Sequence, residues 1–249
     1  MSVHDRRMPK APLSEGRNDT MAQRQICFAS ATSKGGSGKT SLAANLCVRA
    51  ANEGVQVVGM ELDSQGSFER WFELRDASYP LDAKRNPRFW AGTGKPSFDV
   101  QTLKRHGAGY IFVDVPPGDM DLLLSGVKAS DFVIIPVKAS PVDVEAIGPV
   151  IEACELAERQ YAFVLSMVVP SGYATANKEA TAYLNKLRPG RLIEPVFSHS
   201  PGYIGCMASG RTGPEYRDKR VANSCSSEID TIWTELRARA IAAVKVGGR

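Results

Sequence analysis

No stretch of eighteen consecutive apolar residues occurs in the 249 residues, which excludes a simple membrane-spanning helix. A signal-peptide pattern is missing too, because the first twenty positions hold Pro9, Pro12, Gly16 and seven charged residues. Cysteine is sparse. Cys27, Cys47, Cys154, Cys206 and Cys225 never form a C-x-x-C pair, so no zinc frame or redox motif is encoded, and three of them lie in apolar stretches where small buried thiols are common. These absences predict a soluble chain of a reducing cytosol that does not use cysteine to bind metal. No internal repeat is evident, and residues 1–22 are too poor in apolar side chains to pack, which predicts a disordered arm ahead of one domain over 23–249. Arg6, Arg7 and Lys10 of the arm read as solvated charges.

What the chain does have is a glycine loop between two apolar segments. Ile26-Cys27-Phe28-Ala29 reads as a buried strand, Ser41 to Val48 reads as a helix, and Lys34-Gly35-Gly36-Ser37-Gly38-Lys39-Thr40 lies between them. Glycines remove the Cβ atoms that would hold an anion away from backbone N–H groups, and a helix N-terminus adds unpaired donors at the same spot. The spacing predicts a polyphosphate site over Lys34 to Ser41, with Lys39 reaching the terminal phosphates and Thr40 ligating Mg²⁺. The usual pattern G-x-x-x-x-G-K-[ST] would place a glycine at 33, where this chain has Ser33.

Three further apolar runs end in polar residues. Val55 to Met60 leads to Glu61-Leu62-Asp63, Tyr110 to Val113 leads to Asp114-Val115-Pro116-Pro117-Gly118, and Asp131 to Val137 leads to Ser140-Pro141. In an open α/β sheet such strand ends line one crevice, which predicts Asp63, Asp114 and Pro116 beside the phosphates and Thr40, Asp63 and Asp114 around the cation. The alternation of strands and helices predicts a doubly wound, mostly parallel α/β sheet with helices on both faces. Residues 76–98, with Lys84, Arg85, Arg88 and Lys95 near Phe89 and Trp90, read as a surface loop around a short strand. Asp119 and Asp121 read as first-turn helix residues.

The motif K-G-G-x-G-K-T resembles the deviant Walker A of the ParA/MinD superfamily of P-loop ATPases. The segment Asp63-Ser64-Gln65-Gly66-Ser67, the D-x-P-P-G at Asp114 and the text from Asp131 to Asp143 are similar to small ParA-type partition ATPases. The resemblance spans residues 24 to 240 and is weakest over 76–98 and 170–225. It implies ATP/ADP and Mg²⁺ as cofactors and an ATP-dependent homodimer in which Lys34 reaches the partner's phosphates. It also implies an attacking water oriented by Asp63 and hydrolysis stimulated by a partner protein. Two departures stand out. Glu61 replaces an aspartate usual in the family, and Ser166-Met167 replaces an asparagine that commonly contacts adenine.

Charge extends the reading. Residues 186–249 hold eleven Lys or Arg against six Asp or Glu, so the chain's positive surplus is C-terminal. Arg211, Arg217, Lys219 and Arg220 cluster there, with Arg237, Arg239, Lys245 and Arg249 beyond, as a face for non-specific DNA. The last helix carries an apolar stripe, Ile229, Ile232, Trp233, Leu236, Ala240, Ile241 and Val244. A membrane-targeting helix of the MinD kind would show one too, but Glu228, Asp230 and Glu235 favour docking on the sheet. The sequence therefore predicts a cytoplasmic, nucleoid-associated ATPase that partitions DNA or positions cargo. The alternatives are a MinD-like membrane protein or an ATP-dependent metabolic enzyme. An iron–sulfur relative would need paired cysteines where Cys154 stands alone.

Overall fold

Short runs of β-branched and aromatic residues, each followed by an amphipathic helical stretch, fold into a single parallel sheet covered on both sides. The structure is a computed structural model that describes residues 25–79, 86–169 and 174–247. The arm over 1–22, Lys84, Arg85 and Arg249 lie outside the described residues.

Seven strands are described: β1 (Ile26–Ser30), β2 (Val57–Glu61), β3 (Arg88–Trp90), β4 (Tyr110–Asp114), β5 (Phe132–Lys138), β6 (Gln160–Val168) and β7 (Leu192–Ser198). They lie in the order β3-β2-β4-β1-β5-β6-β7, and every pairing is parallel. β1 is central, with β4 on one side and β5 on the other, so the chain reverses direction of travel around it. This is the switch point where open α/β sheets form their crevice.

Side chains alternate across the sheet as a period of two requires. Ile26 and Phe28 of β1 join Tyr110 and Phe112 of β4 beneath α1 (Lys39–Ala51), α2 (Ser67–Ser78), α8 (Pro201–Met207) and α9 (Lys219–Gly247). Cys27 and Ala29 join Ile111 and Val113 beneath α3 (Pro96–Arg105), α4 (Met120–Ala129), α5 (Pro141–Glu145), α6 (Gly148–Leu156) and α7 (Ala174–Leu187). Pro136 is tolerated inside β5 for a local reason. Ala31 N–H donates to the Ile134 carbonyl at 3.0 Å, so even-numbered residues of β5 turn their backbone toward β1, and Pro136 falls past the end of β1 where no donor is needed.

The stretch after Pro141 is two helices: α5 stops at Glu145 and α6 starts at Gly148, and Leu156 at the end of α6 is 77% exposed. Asp119 caps α4 by accepting from Leu122 N–H at 2.9 Å. α9 docks on the sheet. Ile229, Ile232, Trp233, Leu236 and Ala240 are buried, Trp233 Nε1 donates to Glu53 at 2.7 Å, and Arg237 Nε donates to the Tyr110 hydroxyl at 2.8 Å. Burying each large side chain of that stripe contributes about 1.5–3 kcal/mol.

Candidate nucleotide site

The carboxyl ends of β1, β2 and β4 meet because their register aligns Ser30 with Asp114 and Asp114 with Glu61. From the end of β1 the backbone turns through the glycine loop into α1. Gly38, just before the helix, has φ of 78°, and a Cβ there would stand 3.2 Å from Met167 Sδ, so a side chain would be both strained and crowded. Among the described residues no side chain caps the first turn of α1, and no acidic residue lies in that turn. Its N–H groups and positive end are left for an anion.

Asp114 is fully buried at the end of β4 and gathers the loop's two polar residues. Lys39 Nζ donates to Oδ1 at 2.6 Å, and the Thr40 hydroxyl donates to Oδ2 at 2.6 Å. Burial pushes the Asp114 carboxyl above its ordinary range, Lys39 and Thr40 pull it back, and the charge of Asp63 adds a smaller upward push. Asp63 sits half-buried in the turn after β2 and accepts from Gln65 N–H at 2.9 Å.

Glu61 explains its own departure from the family pattern. Its two oxygens accept from Phe68 and Glu69 N–H at 3.1 and 2.9 Å, so it caps α2 from the neighbouring strand end. Burial nevertheless raises its carboxyl, with the two backbone donors opposing that shift.

Lys34 is exposed at the edge of the loop, with Nζ donating to the Val142 carbonyl of α5 at 3.2 Å. Gly35 and Gly36 are exposed beside it, Ser37 is buried, Ser41 is half-buried on α1, and Pro116 is buried two residues beyond Asp114. The Ser37 hydroxyl is buried and has no hydrogen-bond partner among the described residues. An orphaned hydroxyl, an uncapped helix start and a carboxylate holding a lysine and a threonine fit a phosphate with a hard divalent cation.

Sequence reasoning missed the floor of this loop. The buried Ser166 hydroxyl donates to the Ser37 carbonyl at 2.6 Å from inside the sheet. Met167 has φ of 55° and packs against Gly38. Lys138, the last residue of β5, pairs in register with Ser166 and brings its ammonium to the loop at Gly36. The signal that could have found it is its place at a strand's carboxyl end next to the central strand. Tyr203 packs on Phe197 with ring centroids 4.2 Å apart, and its single hydroxyl hydrogen is shared between the Cys225 carbonyl and Glu228.

The C-terminal cations divide into two groups. Arg237 and Arg239 tie α9 to Tyr110, Gly190 and Leu192. Arg211, Arg217, Lys219 and Arg220 are exposed around the start of α9. Their segment is anchored to the nucleotide elements: Gly213 N–H donates to Asn45 of α1 at 2.9 Å, and Trp71 Nε1 of α2 donates to the Arg211 carbonyl at 3.0 Å.

Comparison with known proteins agrees with this arrangement. Over 168 residues the chain is 29% identical to the maintenance of carboxysome distribution protein A of Halothiobacillus neapolitanus, covering 64% of this chain and 74% of that protein. The fold is similar to that of an ATP complex of a Cyanothece McdA variant, with a TM-score of 0.67 at 15% identity over 88% of this chain and 97% of the other. It is also similar to that of the septum site-determining protein MinD of Pyrococcus horikoshii complexed with Mg-ADP, with a TM-score of 0.64 at 16% identity over 82% and 94%. Residues 28–200, more than half of the chain and all of the loop and strand ends described above, match the CobQ/CobB/MinD/ParA nucleotide binding domain, and the chain belongs to that family.

Proposed function

We propose that this chain is a ParA-type ATPase that closes into a sandwich dimer on ATP, binds DNA without sequence preference, and positions DNA or another cargo. A partner protein stimulates its hydrolysis. The observation that carries this reading is Lys34, an exposed cation at the loop's edge, while the loop's own Lys39 is already gathered at Asp114. A second copy facing the loop would find that cation available. Lys39 reaches the terminal phosphates, Thr40 and Asp114 are the residues that hold Mg²⁺, and Asp63 orients water at the same strand edge. Mg²⁺, when bound there, would supply positive charge that offsets the charge of the phosphates.

Two features support positioning over a metabolic role or membrane attachment. The relative in Halothiobacillus neapolitanus is named for carboxysome distribution, and the apolar stripe of α9 is buried against the sheet rather than open to lipid. The exposed Arg211, Arg217, Lys219 and Arg220 supply the DNA face. Two such faces on one dimer act together, so binding requires ATP.

Fluorescence anisotropy on two unrelated duplexes, with ATP, with ADP and without nucleotide, repeated across salt, tests this. ATP-dependent binding to both duplexes that weakens steeply with salt is expected. Replacing Arg217, Lys219 and Arg220 with Ala should flatten the salt dependence and leave basal ATPase activity unchanged. Absence of DNA binding with ATP at low salt, together with tight ATP-dependent binding to anionic vesicles, would replace this reading with the MinD-like one.

A further inference from the structure

Three lysines surround the glycine loop, and they are committed differently. Lys39 is buried and its charge is met by Asp114 at 2.6 Å. Lys34 is exposed and rests on the Val142 carbonyl. Lys138 is half-buried at the end of β5, and among the described residues its ammonium has neither a hydrogen bond nor an ion pair.

Its position is set by the sheet. The β5–β6 register aligns Lys138 with Ser166, and Ser166 fixes the loop by donating to the Ser37 carbonyl at 2.6 Å. The two strand ends therefore support adjacent parts of one loop. Gly36 has φ of 74°, and a methyl group built on it would stand 3.5 Å from Lys138 Nζ. The ammonium lies where the loop backbone is barest. A half-desolvated cation without a counter-charge is unfavourable unless an anion completes it, and this loop is the chain's candidate anion cradle.

We propose that Lys138 is a phosphate-binding residue of the same protomer, neutralising the nucleotide's polyphosphate from the β5 side of the loop. It differs from Lys39, the loop's own phosphate lysine, whose charge has a counter-charge in Asp114, and from Lys34, which is proposed to serve a facing copy. The inference rests on the nucleotide reading given above. It adds a contact that belongs to the strand end rather than to the loop motif, and that contact operates in a monomer.

The test is calorimetry of Mg-ATP and of Mg-tripolyphosphate on the full chain and on K138M and K138R, with melting temperatures of the nucleotide-free proteins. Losing one charge-assisted contact to phosphate weakens binding by about ten- to a hundredfold. K138M should therefore lose at least tenfold in affinity for both ligands, because the contact is to phosphate and not to the base. K138R should stay within about threefold of the unsubstituted protein, since it keeps the charge. Both variants should melt with the parent protein.

ATP affinity of K138M within twofold of the parent would overturn the proposal. So would a loss for ATP without one for tripolyphosphate, or a loss matched by a lowered melting temperature of the nucleotide-free protein, which would mark a structural lysine. A parent protein that binds neither ligand would instead overturn the nucleotide site itself.

Discussion

Replacing Glu215 with Gln should cost this protein about 2–3 kcal/mol, because it strands a buried guanidinium. Arg75 of α2 is 2% exposed, and its fork meets Glu215 through two hydrogen bonds of 3.0 Å each. It also donates to the Gly210 carbonyl at 3.0 Å and to Asn86 at 3.1 Å, between the rings of Trp71 and Tyr79. Glu215 accepts in addition from Thr212 N–H and its hydroxyl, at 2.8 and 2.9 Å. Removing one partner of a fully buried pair costs about 3–5 kcal/mol, and the 26% exposure of the Glu215 side chain lets water soften that to the lower figure.

The assay is thermal and urea unfolding of E215Q beside the parent protein. For a chain of this size the loss corresponds to a fall in Tm of about 5–10 °C. A pH series adds a sign. Burial alone would raise the Glu215 carboxyl, but Arg75 and Thr212 outweigh it and hold the carboxyl below its ordinary value of 4.5. A folded pKa below the unfolded one contributes stability that is present above the unfolded value and lost as pH falls through the folded one. The gap between parent and variant should therefore be full at neutral pH and shrink below about pH 4.5. A neutral-pH Tm within 1 °C of the parent, or a gap that stays constant into acid, would refute the reasoning.

Lys39→Ala should abolish ATP binding measured by calorimetry, since neither the backbone donors nor Asp114 can replace the ammonium at the terminal phosphates. Gly210→Ala should destabilise by more than about 3 kcal/mol in urea unfolding. The position has φ of 67°, and its Cβ would fall 2.1 Å from the backbone nitrogen of Arg75, so backbone must move to admit it.

Much of the site is legible because it is local. Strand, loop and helix follow one another within residues 26 to 51, and the chemistry of Lys39, Thr40 and Asp114 needs only that two strand ends be neighbours. Contacts that depend on register were not legible. Its place at a strand's carboxyl end makes Lys138 a candidate, but only the β5–β6 register, which aligns it with Ser166, separates it from a solvated strand end. Arg75 reads as one more charge on an amphipathic helix, yet it is buried because residues 210–215 close over it from 135 positions and more along the chain. The two-part helix after Pro141 hides for a different reason: Gly148-Pro149 starts a new helix within an unbroken apolar spacing. The basic C-terminal composition likewise could not reveal that Arg237 and Arg239 fasten α9 while Arg217, Lys219 and Arg220 stay exposed.

The central claim is that Lys34 serves a second copy of the chain, and multi-angle light scattering of the Asp63→Ala variant at saturating ATP tests it most directly. Removing Asp63 takes away the residue proposed to orient water but leaves Lys39, Thr40 and Asp114 in place, so ATP should stay bound and the dimer should persist. The account predicts a dimer with ATP, a monomer with ADP, and a monomer with ATP once Lys34→Ala is added. A monomer for Asp63→Ala with ATP bound, or a dimer unaffected by Lys34→Ala, would contradict it.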